Sequence, residues 1–209
     1  MIHVKRLAAA VALLAGGTVA ALAQEPADNM SFFVTSSNPG KGGDLGGLEG
    51  ADAHCQALAE AVGAGDKTWR AYLSTSDVDA RDRIGDGPWY NVKGELIAEN
   101  LEQLHGENNL TPETALTEQG KSPNYIGGPQ PLQHDILTGS NPDGTANELT
   151  CNDWTDGSDD AQAMLGHADR KGRDPGVNSW NSVHPSRGCS MESLAATGGA
   201  GLLYCFAAD

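Results

Sequence analysis

The chain has 209 residues, 13 of them basic and 28 acidic, for a net charge of −15 with histidines neutral. So acidic a balance argues against nucleic acid, heparin-like polyanions and anionic membranes as partners, because each needs basic surface. The length suits one domain with a sizeable core.

Residues 1–23 carry Lys5 and Arg6, then an apolar, alanine-rich run ending Ala21, Leu22, Ala23 before Gln24. This pattern reads as a secretory signal peptide cleaved after Ala23 and predicts a secreted or periplasmic protein without membrane insertion. Its removal takes two basic residues and no acidic one, leaving 11 against 28, a charge of −17. Residues 24–30 form a flexible polar lead, and 31–209 the domain. Four cysteines, 55, 151, 189 and 205, are expected to pair in an exported chain, and four allow three connectivities.

Aromatic and β-branched residues make 31–36 a strand, followed by a glycine-rich loop. Ala51, Cys55, Leu58, Ala59 and Val62 lie at i, i+4, i+7, i+8 and i+11, which predicts a helix over 51–62 with Cys55 facing inward. Gly63 and Gly65 end it. Trp69, Ala71 and Leu73 then alternate with Arg70, Tyr72 and Ser74, the period of a strand with one buried face. A short helix is expected over 77–84, a hairpin over 88–98 turning at Lys93 and Gly94, and a helical turn over 100–104. From 105 to 133 the chain is polar and rich in proline and glycine, a long loop that reads as a binding rim. Strands are expected over 135–139, over 148–154 through Cys151, and over 201–207; 155–188 reads as mostly loop.

The order of GGLEGADAHCQALAEAVGAG, WRAYLSTS, PWYNVKGEL, LTGSNPDGT, TCNDW and GLLYCFA resembles the C-type lectin-like fold, and within it the endostatin-like branch found at the end of some collagens. The resemblance covers about residues 31–207. It implies an α+β domain: a small twisted antiparallel sheet, one or two helices, long loops, and two nested disulfides joining Cys55 with Cys205 and Cys151 with Cys189. The zinc and heparin features of endostatin do not transfer, since the start of the mature chain, QEPADNMSFF, has no histidine and the surface is acidic.

C-type lectins bind sugars through calcium, using a Pro-containing acidic triplet before one framework cysteine and a Trp-Asn-Asp triplet before the next. Here Asn141, Pro142 and Asp143 stand at the first place, and Trp180, Asn181 and Ser182 near the second. Ser182 replaces a metal-binding carboxylate, and calcium needs six to eight oxygens. The same Asn-Pro-Asp-Gly run is also a plain β-turn. Asn141, Asp143, Glu148 and Asn181 are the expected calcium ligands, and with Asp153, Trp180 and Ser182 form the expected ligand-binding rim. A second acidic group, Asp153, Asp156, Asp159 and Asp160, lacks the spacing of an EF-hand and reads as a solvated loop.

Histidines 54, 105, 134, 167 and 184 are dispersed, with no pair at metal-ligand spacing. His134 beside Asp135 stands out, but adjacent residues of a strand point to opposite faces, so the pair reads as structural. No nucleophile elbow, redox CxxC, phosphate loop or dinucleotide fingerprint is present, so no catalytic residue is assigned. The sequence therefore predicts an exported, non-enzymatic binding module for a glycan or cell-surface protein. The alternatives are a metal-dependent or hydrolytic periplasmic enzyme on the same loops, and a structural envelope or matrix protein.

Overall fold

A computed structural model describes residues 25–171 and 178–209; the expected signal peptide lies outside the described residues. Helix α1 spans Gly47–Ala61 and buries Ala51, Cys55 and Ala59, the stripe that the four-residue spacing predicts. It begins four residues earlier than the apolar pattern, after Gly46 in a left-handed conformation that needs no Cβ clearance. Strand β1 (Phe32–Val34) is buried throughout, and strand β2 (Trp69–Ala71) follows the expected alternation, with Arg70 outward between buried Trp69 and Ala71, although Tyr72 and Ser74 beyond it are buried too.

Between them lies the chain's last strand, Tyr204–Ala207, which pairs antiparallel with both, so that Cys205 stands opposite Phe33 on one side and Ala71 on the other. The Cys55–Cys205 bridge ties α1 to this central strand, and Cys151–Cys189 forms the second, nested bridge. No cysteine is free. Alternation assigns the two faces: Phe33, Cys205 and Ala207 enter the core under α1, while Phe32, Tyr204 and Phe206 enter a second core with Tyr72, Trp89 and Trp180. Both faces are covered, hence the unbroken apolar run near the end of the chain.

The hairpin forms as predicted, from β3 (Trp89–Tyr90) and β4 (Leu96–Ala98), and the short helix α2 (Leu101–His105) is capped by Asn100, whose side chain accepts from the backbone of Gln103. The segment over 77–84 contributes only a 3-10 turn, Ala80–Arg83.

A second sheet holds β5 (Asp135–Leu137) and β6 (Met164–His167), with β7 (His184–Pro185) at one edge and β8 (Gly199–Leu202) at the other. β5 pairs antiparallel with β6 and parallel with β8. Two expectations change here, and one is refined. The region 155–188 is mostly loop as expected, but it also holds β6 and β7, both too short to show a period. The closing strand is two strands in two sheets, β8 and then β9 (Tyr204–Ala207), divided at Leu203. Finally, 148–154 is no strand: Cys151, Asn152, Asp153 and Trp154 all have positive φ, from 49° to 64°, in a left-handed turn.

That turn costs energy for residues with a Cβ, though Asn and Asp tolerate it best. Its compensation is local. Thr150 Oγ1 accepts from Asp153 N, the Asp153 carboxylate accepts from Ser76 N at 2.8 Å and Ser76 Oγ at 2.7 Å, and Trp154 Nε1 donates to the Ser74 carbonyl at 2.7 Å. The adjoining bridge from Cys151 to Cys189 anchors its start.

Candidate metal centre

Asp135 of β5 stands directly opposite His167 of β6, and Leu165 opposite His184 of β7. Cross-strand partners share a face of the sheet, so Asp135, His167 and His184 project together. Asp135 Oδ1 lies 3.2 Å from His167 Nε2 and 3.8 Å from His184 Nε2, and the two imidazole nitrogens are 3.1 Å apart. The Asp135 and His167 side chains are 1% and 5% exposed, whereas His184 on the edge strand is 34% exposed.

His134 joins them because it precedes the strand rather than belonging to it. Its backbone bonds to Gly198 and Ala168, and its ring stacks beside His167 with centroids 4.4 Å apart. Nε2 lies 3.2 Å from Asp135 Oδ1, and Nδ1 lies 3.2 Å from Asp169 Oδ1. The strand rule that separates neighbouring side chains therefore fails at this pair, and the expected isolation of His134 from Asp135 is corrected. Gly198 clears the way: a Cβ there would sit 2.9 Å from His134 Nε2.

Proton placement follows from the partners. A carbonyl only accepts, so His184 Nδ1 donates to the Pro185 carbonyl at 3.0 Å, and a neutral His184 ring presents a lone pair at Nε2. Burial pushes the Asp169 carboxyl up, but hydrogen bonds from His134 Nδ1 and from the backbone N–H groups of Ile126 and Lys171 outweigh it and hold the group below the usual carboxylate range. His134 thus donates Nδ1–H to a carboxylate and turns Nε2 toward Asp135.

Around Asp135, proximity and hydrogen bonding part company. Three imidazole nitrogens come within 3.2 to 3.8 Å of Oδ1, yet neither Asp135 oxygen has a partner in hydrogen-bonding geometry, and neither has His167 Nδ1. An imidazole N–H that is not aimed at the oxygen satisfies it poorly, however close it lies. The result is a buried convergence of electron-pair donors. Charge leads to the same place: among the described residues, Asp135 and Asp169 have only imidazoles as ionic partners and no Lys or Arg. The Asp135 carboxylate, which has no hydrogen bond, is costly to bury without compensating positive charge, and a divalent cation would supply it.

Two groups offer ligand atoms within 4.8 Å of one another: Asp135, His167 and His184, and His134, His167 and Asp169. The first fits an ion better, because the Asp169 oxygens are occupied by three N–H groups. Ligand bonds of 2.0 to 2.2 Å at tetrahedral angles place neighbouring donors about 3.3 to 3.6 Å apart, and the edges of this triad, 3.1, 3.2 and 3.8 Å, lie on either side of that range. Two imidazoles and one carboxylate suit zinc, ferrous iron or a similar transition metal; calcium and magnesium prefer oxygen. Nδ1 hydrogen bonds to a carbonyl or carboxylate, seen at His184 and His134, are the usual support of metal-bound imidazoles.

The residues singled out in the sequence lie elsewhere. Asn141 and Asn181 meet, but Asn181 presents its Nδ2 to the Asn141 and Pro142 carbonyls and to the Tyr72 hydroxyl, while its Oδ1 accepts from Ser179. Asn141 Oδ1 accepts from Asn147, and Asp143 Oδ1 accepts from Thr145 N and Oγ1, closing the β-turn. Glu148 is exposed, Ser182 half-buried, and Asp153 holds the left-handed turn. Trp180 is buried against Tyr72 and Tyr204, and Trp154 and Tyr125 are buried as well. No family model matches the chain, and no curated protein matches it either.

Proposed function

We propose that this is an exported metal-binding module whose centre is Asp135, His167 and His184, with His134 and Asp169 as supporting groups. The observation that carries the reading is the meeting of Asp135 Oδ1, His167 Nε2 and His184 Nε2 within 3.8 Å with no hydrogen bond satisfying the carboxylate. Two disulfides, and no helix among the described residues long and apolar enough to cross a membrane, fit an oxidising extracellular or periplasmic setting. The fold we assign to the endostatin-like branch of the C-type lectin-like fold; support comes from α1 lying on a small sheet whose terminal strand holds Cys205, and from the nesting of the bridges. This reading keeps the binding role expected from the sequence and changes the ligand from a glycan or surface protein to a transition metal.

The test is metal content. Protein stripped with a chelator and equilibrated with excess zinc, cobalt(II) or ferrous iron should retain one ion per chain after gel filtration, and His167→Ala should retain none. Wild-type protein that keeps its circular dichroism spectrum yet retains none of these ions refutes the proposal.

A further inference from the structure

Resting on that reading, we infer that the centre keeps an exchangeable coordination position, open at the β7 edge of the sheet, that takes a small monodentate anion. The triad supplies three donor atoms, whereas zinc and its neighbours take four or more. The nearby groups do not complete the set. Asp169 is saturated by His134 Nδ1 and two backbone N–H groups, and His167 Nδ1 belongs to a ring whose other nitrogen already serves the triad. His134 Nε2 comes within 3.2 Å of Asp135 Oδ1, but His134 and His184 share no group of convergent donors.

The missing ligand must therefore come from solvent, and burial gives its direction. Asp135 and His167 are enclosed, while His184 is one-third exposed and its neighbour Pro185 is exposed. Among the described residues β7 is an edge strand, paired with β6 alone, so no described strand covers the approach along it. A dipositive ion bound by one carboxylate keeps a positive charge in its own coordination sphere, which selects an anion; the enclosure of two of its three protein ligands selects a small one bound through a single atom. Three protein ligands with an open fourth position is also the pattern that separates reactive metal sites from closed structural ones.

Cobalt(II) serves as the probe, because its visible absorption reports its ligands. The cobalt-loaded chain is titrated with sodium azide against sodium perchlorate at equal ionic strength. The expected result is a saturable change in the visible bands with azide alone, at one azide per metal, and reversal on dialysis. A spectrum that azide leaves unchanged, while cobalt stays bound at one ion per chain, overturns the inference and leaves the metal site standing; it is the result of a sphere closed by His134. Failure of cobalt to bind at all overturns both.

Discussion

Asp135 and His167 face each other across one rung of β5 and β6, with 3.2 Å between Oδ1 and Nε2 and no aimed proton joining them. Such an arrangement weakens the metal-free protein and strengthens the loaded one. Asp135→Asn removes the buried charge and should stabilise the metal-free chain by about 1 to 3 kcal/mol, the usual penalty of an unsatisfied buried group. In zinc the order reverses: wild-type gains about 4 kcal/mol when free metal exceeds the dissociation constant a thousandfold, and the variant gains little. Paired denaturant melts, with chelator and with zinc, check the crossing.

Gly198 has φ of +115°, and the space its Cβ would fill belongs to the His134 ring. Gly198→Ala should cost roughly 1 to 3 kcal/mol from backbone strain alone and should also displace His134 from Asp169. Thermal unfolding measures the first effect. The imidazole proton resonance of His134, protected in wild-type by its bond to Asp169, reports the second by its loss.

The Asp153 carboxyl is pushed up by burial and pulled further down by the hydroxyl and amide of Ser76 and by Thr150, so that its net position is below the ordinary value. A depressed folded-state value stabilises the native protein above the unfolded pKa of about 3.9, and the benefit fades as pH falls through the folded value. Asp153→Asn should therefore lose about 1 to 2 kcal/mol at neutral pH and much less at pH values below the folded pKa. Denaturant midpoints of the two proteins across that range should converge on the acid side.

The two bridges span 150 and 38 residues. On the chain-entropy account their closure is worth about 5 and 4 kcal/mol, comparable with the whole stability of a domain. Replacing both Cys55 and Cys205 by serine should thus leave the chain largely unfolded at 37 °C, whereas the Cys151 and Cys189 pair should cost slightly less and free the left-handed turn first. Hydrogen exchange at residues 151–155 distinguishes this order from uniform loosening.

Much of the scaffold was legible because it obeys simple periods. Ala51, Cys55 and Ala59 mark α1, Trp69 and Ala71 mark β2, and the lectin-like resemblance implied the pairing of the cysteines. The metal centre was not legible, for a physical reason. Its residues come from three strands of two to four residues, joined by cross-strand register rather than by spacing along the chain. One local signal existed: His134 with Asp135, and His167 two residues before Asp169, place an imidazole and a carboxylate together twice. Strand alternation makes the first pair read as structural, a rule that does not bind a residue just outside the strand. The left-handed turn at Cys151 was hidden similarly, since Thr150, Ser76 and Ser74, which hold it, are mostly remote in sequence.

The division of the closing segment at Leu203 has a consequence for how the molecule is made. β9 is the middle strand of one sheet and β8 an edge of the other, so neither sheet has its full set of strands until residues 199–207 are present. Those residues meet β1 and β2 only through pairings between segments remote in sequence. Until these pairings form, Phe33, Trp69 and Ile136 lack their strand partners, so the fold depends on a long-range closure rather than on stepwise assembly from the front.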